Sequence, residues 1–523
     1  MSEHVERAST QDWVAVIGGA LGALIASLDI SITNSALPQI QGEIGASGTE
    51  GTWISTGYLV SEVVMIPLTA WLSRVFGMRN LLLGCAIMFT LFSMLCGVSH
   101  SLTSMIIGRV GQGFFGGALI PTAQTIVRTR LPPRQLPLGM SIFGLIVLLG
   151  PLIGPVIGGW LTENASWQWC FFLNLPVAAA LVTLLVLGLP KEKSDINQLI
   201  YADWMGIIGM TVGLSCLTVV LEEGQRDRWF ESHMIVTLSV LCVIGFILLA
   251  VAQMTSPRPV LKLRLMLNPS YAAVIVIVVA VGMSLYGILY VIPQFLAGIS
   301  GYNAEQSGRI LFLSGIPAFL LMPILPQLLK LNLRILVICG LCCFAASCFM
   351  DAHLTAQSAG DDFVWSQLLR GVGQILSFMP LNQASVGSVG RADAADAAGL
   401  YNMARNVGGS VGLALLGVFV DRETAAQAQS ISAAVTANSD IGQNYIASQA
   451  AGYAAQSGGD LGLGQVHAFA QFSAAVQQQA TVITYSDCFW LLGASMLCMI
   501  PLTFILRMPK RQAGGAPAAG GGH

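Results

Sequence analysis

Charge is what this chain has least of. Asp, Glu, Lys and Arg supply 10% of its 523 residues, where a soluble domain carries about 25%. With 54% hydrophobic residues and a mean hydropathy of +0.72, a water-soluble globule is excluded and a polytopic membrane protein is expected. A net charge of -2 leaves no global sign, which excludes nucleic acid as an implied partner. The sequence also lacks H-E-x-x-H, G-x-S-x-G and G-x-x-x-x-G-K-[ST], and no loop concentrates His, Cys and carboxylates. A membrane-embedded enzyme and an ATP-driven pump lose their usual machinery, and neither a metal nor a cofactor is expected. The eleven cysteines lie in or beside apolar runs, where Cys acts as a small hydrophobe. Cys339 and Cys342 are spaced C-x-x-C, but with no second pair nearby they read as packing residues.

Long apolar runs are what the chain has in abundance. Segments near the ~20 residues that cross a bilayer number fourteen: 14–36, 52–73, 80–99, 103–127, 137–161, 169–189, 204–221, 233–254, 271–297, 306–329, 333–350, 363–387, 397–420 and 486–507. The first is too long for a cleaved signal and leads directly into another span. An even number puts both ends on one side. With both ends inside, the inner segments hold Arg7, Arg74, Arg79, Arg128, Arg130, Arg134, Lys191, Lys193, Arg258, Lys262, Arg264, Lys330, Arg334, Arg391, Arg507, Lys510 and Arg511. The outer loops then hold only Arg226, Arg228 and Arg422. Cytoplasmic loops carry the Lys/Arg excess, so both termini are expected to be cytoplasmic.

A faint repeat relates span four to span twelve. Arg109-Val-Gly-Gln112-Gly113 stands against Gln367-Leu-Leu-Arg370-Gly371, and each is followed by a proline, Pro121 or Pro380. The expected architecture is all-α, with a six-helix bundle over 1–190 and an inserted helix pair within 191–268. A second six-helix bundle covers 269–510 and includes a long outer loop, 421–484, and a low-complexity tail follows over 511–523. Parallel six-helix halves enclosing a midplane site are a transporter design in which one bundle rocks against the other. The 421–484 loop, rich in Ala, Gln and Ser, is expected to form amphipathic helical pieces or a flap, as a linker or as a docking place for a partner.

The stretch from Gly150 to Leu161 organises the first half. Gly150, Pro151, Gly154, Pro155, Gly158 and Gly159 would break a water-exposed helix, yet the run from Ile142 to Leu161 has no polar side chain. A membrane helix tolerates this, because neighbouring helices re-satisfy the backbone and the missing side chains allow close approach. A bent, tightly packed span is expected.

Charged side chains within spans cost at least ~2.5 kcal/mol each on insertion scales and are functional by default. Those set well inside the spans are Asp29, Glu62, Arg109, Arg370 and Arg405. At ~1.5 Å per residue, Arg109, Asp29 and Glu62 sit about 9, 10 and 15 Å deep from the outer end, so all three can share one cavity. The six histidines lie in tails or outer segments, which leaves proton transfer within the membrane to Asp29 and Glu62. The alternative is that these charges form fixed, satisfied pairs. Arg370 is expected near enough to the surface to snorkel. Tyr58, Tyr286, Tyr290, Phe378, Tyr401 and Asn402, with Arg405, are candidates for lining a pocket for flat lipophilic molecules; packing is the alternative for the aromatics.

The Gly150–Gly159 pattern resembles the fifth-helix antiporter motif of the major facilitator superfamily. The run Leu28-Asp29-Ile-Ser-Ile-Thr-Asn34 to Pro38 is similar to the first-helix motif of its fourteen-helix branch. So are Thr52-Trp53-Ile54 with Tyr58, Glu62 and Pro67 in helix two, and Arg109-Val-Gly-Gln112-Gly113 in helix four. Trp167-Gln-Trp169 to Pro176 and Asn402-Met-Ala-Arg405-Asn-Val-Gly408-Gly409 match later motifs. The chain resembles the EmrB-type (EmrB/QacA) drug:proton antiporters over nearly its whole length. One departure concerns the loop between helices two and three, where Ala70 and Arg74 replace the superfamily's Gly and Asp ahead of Gly77. Arg74 and Arg79 must therefore read another partner. The resemblance implies proton-coupled export of lipophilic or amphipathic drugs across a bacterial inner membrane, with Arg109 in proton transfer. It further implies an EmrA-like membrane-fusion adaptor and a TolC-like outer-membrane channel. A dedicated exporter of one metabolite, siderophore or fatty acid is the rival within transport.

Overall fold

The computed structural model describes residues 8–132, 134–192, 194–257, 259–321, 324–329, 331–390, 393–434, 440–456 and 461–506. Arg7, Lys193, Arg258, Lys330, Arg391 and the tail 511–523 lie outside them. The described residues form helices and connecting turns with no strand. The longer helices are α1 Thr10–Ile44, α2 Trp53–Phe76, α3 Met78–Gly97, α4 Leu102–Gly116, α5 Leu119–Arg130, α6 Leu136–Asn164, α7 Asn174–Gly188, α8 Trp204–Glu223 and α9 His233–Thr255. They continue with α10 Pro269–Gly298, α11 Ala304–Phe312, α12 Leu333–Asp351, α13 Val364–Gly387, α14 Ala394–Ala434, α15 Asp440–Gln456 and α16 Leu461–Cys498.

Local chemistry sets many of the ends. Ser9 and Asp12 form a capping box on α1, Asn303 and Gln306 another on α11, and Asn268 caps α10 with Pro269 in its first turn. Gly45 ends α1 with φ +71°, a left-handed conformation that costs glycine nothing.

Eleven helices among the described residues are long and apolar enough to cross a membrane. The three other expected spans are helical but depart from that rule. Span 103–127 is two helices, α4 and α5, parted at Gly117 and Ala118. Pro121 has no N–H to return to residue 117, so the ladder opens there. Span 306–329 is α11 followed by a 3-10 turn at Leu313–Gly315 and two short helices, Ile316–Leu321 and Leu325–Leu328, with Pro317 and Pro326 in their first turns. Helix α13 is continuous over 24 residues but more polar.

The 421–484 loop is helical where described. No proline interrupts it, and Ala and Gln favour helix, so α14 continues to Ala434 and α16 starts at Leu461. The 25 residues of α16 before Ser486 are about 37 Å long at 1.5 Å per residue. Helix α15 packs on this extension, with Ala450 and Ala468 buried and Tyr453 stacked on His467 at 5.5 Å.

Helix α1 is the hub of the first half, packing on α5, α6 and α7, and 67% of its membrane window is buried. Helices α8 and α9 form a close pair, and only 22% of the α9 window is buried, so α9 lies at the periphery. Helix α8 touches both α2 and α14, and α14 also packs on α2, α5 and α10. The seam between first and second halves therefore runs along α2, α5, α8 and α14.

Candidate site: a buried charge cluster and the seam around it

Asp29 on α1 and Arg109 on α4 form an ion pair with side chains 1% exposed. Gln112, one turn beyond Arg109, donates to Asp29 Oδ1 at 3.0 Å and accepts from Arg109 at 3.0 Å. Asn174 on α7 donates to the same Oδ1 at 2.7 Å and to Ser93 Oγ of α3 at 2.9 Å. Arg109 Nε donates to the Ile54 carbonyl at 3.2 Å, and the guanidinium lies 4.3 Å from the centre of the Tyr58 ring. Five helices thus converge on one carboxylate and one guanidinium. A buried pair survives only when its remaining donors and acceptors are satisfied, and here both Asp29 oxygens are engaged.

Glu62 lies one turn from Tyr58 on α2, is 2% exposed, and makes no hydrogen bond or ion pair among the described residues. The charges of Arg405 on α14 and of Arg109 both act on it electrostatically. Arg405, 8% exposed, has no carboxylate within 4 Å among the described residues; it contacts Asn406 Oδ1 at 3.3 Å and lies 5.5 Å from the centre of the Phe378 ring. Tyr286 on α10 reaches Asn406 Oδ1 at 3.5 Å and lies within the fields of Arg405, Glu62 and Glu222.

The expected pocket residues separate. Tyr401 is fully buried against Phe378, with ring centres 6.1 Å apart. Asn402 faces the opposite half, donating to Gln124 Oε1 of α5 at 3.0 Å, while Gln124 donates to Asn382 of α13 at 2.5 Å. Tyr290 is 37% exposed and lies near Asp421 and Cys488, away from the cluster.

Arg370 does not snorkel. It is paired with Asp351, the last residue of α12, with side chains 1% and 2% exposed. The close packing of α12 on α13 encloses it; Gly340 and Gly373, lacking side chains, let these backbones meet.

The glycines of the 150–159 stretch divide by face. A Cβ on Gly150, Gly154 or Gly158 would press into α1, at 2.9 Å from Leu28 N, 3.1 Å from Ile32 N and 2.9 Å from Ile32 O respectively. Ser31 Oγ donates to the Pro151 carbonyl at 3.0 Å, taking up an acceptor beside a proline break. On the other face Gly159 nears Glu305 at 3.7 Å, and Gly308 of α11 leaves room for Pro155 at 3.1 Å. Helix α6 thus joins α1 to the second half.

The partner that Arg74 reads is Asp396 at the start of α14, at 3.2 Å. Lys262 also reaches Asp396, at 2.9 Å, and Asp393 at 2.6 Å. Burial works against the Lys262 ammonium, but the hydrogen bonds to Asp393 and Asp396 outweigh it and hold its pKa above the ordinary lysine value. Arg79 donates to the Val186 carbonyl at 3.3 Å. Gly77, at φ +80°, makes the turn between them, where Glu192 takes up the Met78 N–H at 2.7 Å. The arginine-rich end is therefore tied across the seam by a latch of reversed polarity, base on α2 and acid on α14.

Sequence reasoning passed over Asn174, Ser93, Asp351, Glu222 and Glu223 as site residues. The last three end apolar runs and read as boundary charges. An arginine inside a span needs a counter-charge, and Asp351 is the acid at the end of the span preceding Arg370.

A buried charge cluster inside the first half, with polar ties across the seam to the second, fits a multi-pass membrane transporter. The chain belongs to the Major Facilitator Superfamily, whose model matches residues 19–413. Within it the chain is an EmrB-type transporter. It is 33% identical over 441 residues to the colistin resistance protein EmrB of Acinetobacter baumannii, covering 83% of this chain and 86% of that one. It is 29% identical over 515 residues to the multidrug export protein EmrB of Escherichia coli, covering 98% of each. The human organic anion transporter MFSD10 shares the fold with a TM-score of 0.61 at 14% identity, covering 94% of this chain and 99% of that one.

Proposed function

We propose that the protein is a proton-coupled exporter of lipophilic and amphipathic compounds that works by alternating access. The names of its EmrB relatives, one a multidrug export protein, support the substrate class. Residues 1–190 and 269–510 act as the two moving halves and 191–268 as an inserted pair. Both termini face the cytoplasm, and the membrane is the bacterial inner membrane. The long 421–484 extension then projects into the periplasm, where it is the place for an EmrA-like adaptor leading to a TolC-like channel.

The observation that carries the reading is the buried Asp29 carboxylate, held by Arg109, Gln112 and Asn174 at the convergence of five helices. Protonating Asp29 removes the counter-charge of Arg109, which then needs another anion. Glu62 is the next carboxylate in its field, and the charge of Arg405 on α14 acts on it as well. A proton arriving at one carboxylate thereby changes the attraction between the halves, which is the requirement for coupling proton entry to a change of access. The glycine face of α6 on α1 and the Arg74–Asp396 tie are the surfaces that move or part.

The test is efflux of a fluorescent lipophilic dye from proteoliposomes under an imposed pH gradient, for wild type, Asp29→Asn and Glu62→Gln. Gradient-driven efflux is expected to vanish in Asp29→Asn while dye binding persists. Equal gradient-driven efflux in wild type and Asp29→Asn overturns the coupling assignment and leaves the pair as a packing device.

A further inference from the structure

Helices α8 and α9 are fixed to each other and lean on the two halves unequally. Gly209, Gly213 and Gly245 let the two backbones meet: a Cβ on Gly245 would lie 2.4 Å from Gly213 N, and one on Gly209 2.6 Å from Leu249 N. The pair is therefore one body.

Its attachments to the first half run the length of α2. At the inner end Ser194 Oγ donates to the Phe76 carbonyl at 3.0 Å, and the Asp195 N–H donates to the Val75 carbonyl at 2.7 Å. Trp204 then meets Trp71 edge to face, with ring centres 6.5 Å apart. At the outer end Glu223, 1% exposed, accepts from Thr56 Oγ1 at 2.6 Å and from Thr52 Oγ1 at 3.3 Å. Arg226 pairs with Glu223 and donates to Thr52 as well. Charge-assisted hydrogen bonds to a buried carboxylate are the strong kind.

The face toward the second half is built differently. On the outside, Ser410 Oγ of α14 donates to Glu222 at 2.8 Å, and Asp421 accepts from Gln225 Nε2 at 2.7 Å on the exposed surface. On the inside, Lys262 reaches Asp393 and Asp396 with its own side chain 34% exposed. Beside the outer contacts lies a cavity of about 470 Å³, whose lining includes Leu221, Trp229, Val418, Phe419 and Arg422. A void of that size marks a face not packed to interior density.

The turn that carries Gln225 is held stiff. Arg228 and Trp229 both have positive φ, +57° and +54°, which residues with side chains rarely adopt. The Trp229 N–H donates to the Gly224 carbonyl at 2.6 Å, and the indole lies over Gly224, where a Cβ would come 2.8 Å from the ring. Strain of this kind persists where the surroundings over-determine it, and it clusters at clamps and switches.

We propose that the inserted pair travels with the first half as one rigid body and that its outer turn is a strap across the seam. Gln225 and Glu222 fasten α14 while the outer side is closed and release it when that side opens. Glu223 is a positioning residue: it anchors the strap to α2 through Thr52 and Thr56. The strap rests on the alternating-access reading above for what it gates, while the division into bodies is measurable without transport.

The experiment uses the full chain with the accessible Cys339, Cys342, Cys343 and Cys498 replaced by serine. A short homobifunctional methanethiosulfonate bridges Gln225→Cys to Asp421→Cys across the seam, or Arg226→Cys to Thr52→Cys within the first body. Each variant is compared with itself before the reagent and after dithiothreitol, so a folding defect stays in the baseline. The cross-seam bridge is expected to lower dye efflux from proteoliposomes about tenfold or more, reversibly, and the bridge to α2 to change it less than about twofold. Unchanged efflux with the cross-seam bridge, or an equal loss with both, overturns the strap. Spin-label distances in nanodiscs between about pH 5 and about pH 8 are the separate measurement. Thr237→Cys with Gly42→Cys on α1 is expected to keep one narrow distance, and Thr237→Cys with Gln357→Cys in the second half to show two. A single distance for both pairs, or two for the first, overturns the proposal; two distances for the second pair alone, with no gradient-driven efflux in wild type, keep the strap and sink the exporter reading.

Discussion

The Arg370–Asp351 pair offers the most quantitative check on the packing. Both side chains are all but inaccessible, and Arg370 Nε and Nη1 have no hydrogen-bond partner among the described residues. Asp351 is therefore the principal compensation for this guanidinium. Asp351→Asn keeps the shape and removes the charge, stranding Arg370 between α12 and α13. Breaking a buried pair from one side costs about 3–5 kcal/mol, because the penalty is the full desolvation of the remaining ion. Removing both charges in Arg370→Met with Asp351→Asn strands nothing, and stability is expected to return to within about 1–2 kcal/mol of wild type. The assay is reversible unfolding by sodium dodecyl sulfate titration in mild detergent, followed by far-ultraviolet circular dichroism, as a double-mutant cycle. A single-variant cost under about 1 kcal/mol means that Arg370 reaches water after all. A double variant whose loss equals the sum of the two singles means that the residues do not interact, and either result refutes the reasoning.

Two other expectations concern the seam and the glycine stripe. Arg74→Asp sets three acids around Lys262, and Asp396→Arg sets three bases together, so each alone should lower transport in proteoliposomes by about tenfold, the scale of a ~1.4 kcal/mol repulsion. Combined, the two re-form the tie with reversed polarity, and transport should recover at least partly; no recovery would mean that Arg74 acts other than through Asp396. On α6, Gly158→Ala drives a methyl to 2.9 Å from the Ile32 carbonyl oxygen, a backbone atom that cannot yield, and should destabilise by about 1–3 kcal/mol. Gly159→Ala meets nothing closer than 3.7 Å and should fall within about 0.5 kcal/mol of wild type in the same titration. Equal thermal and detergent stability for the two variants would show that α1 and α6 are not in close contact.

The tie at the arginine-rich end explains the departure in the loop between the second and third spans. An arginine at the superfamily's acidic position loses nothing when the opposing helix brings an acid to it, and Asp396 on α14 does so from 322 positions away. Lys262, in the connection leaving the inserted pair, joins the same acid, so this latch also binds the inserted pair's exit to both halves.

The membrane class, the succession of apolar segments and the arginine-rich loops were all legible in the sequence. Each depends on a sum or a pattern over neighbouring residues, and transfer from water to lipid is close to such a sum. Depth was legible too: Asp29 and Arg109 were set within about one turn of each other by counting at 1.5 Å per residue, and they are paired. Pairing itself was not. Whether Asp29 or Glu62 faces Arg109 depends on the rotation of each helix about its axis, where one residue is a step of about 100°. That rotation is set by which glycines and serines pack against which neighbour, as Gly150, Gly154 and Gly158 do against α1. The same reason hid Asp351 from Arg370 and let Glu222 and Glu223, adjacent in sequence, face opposite halves of the molecule. Tertiary packing, acting through helix rotation, decided which charges are paired and which are not.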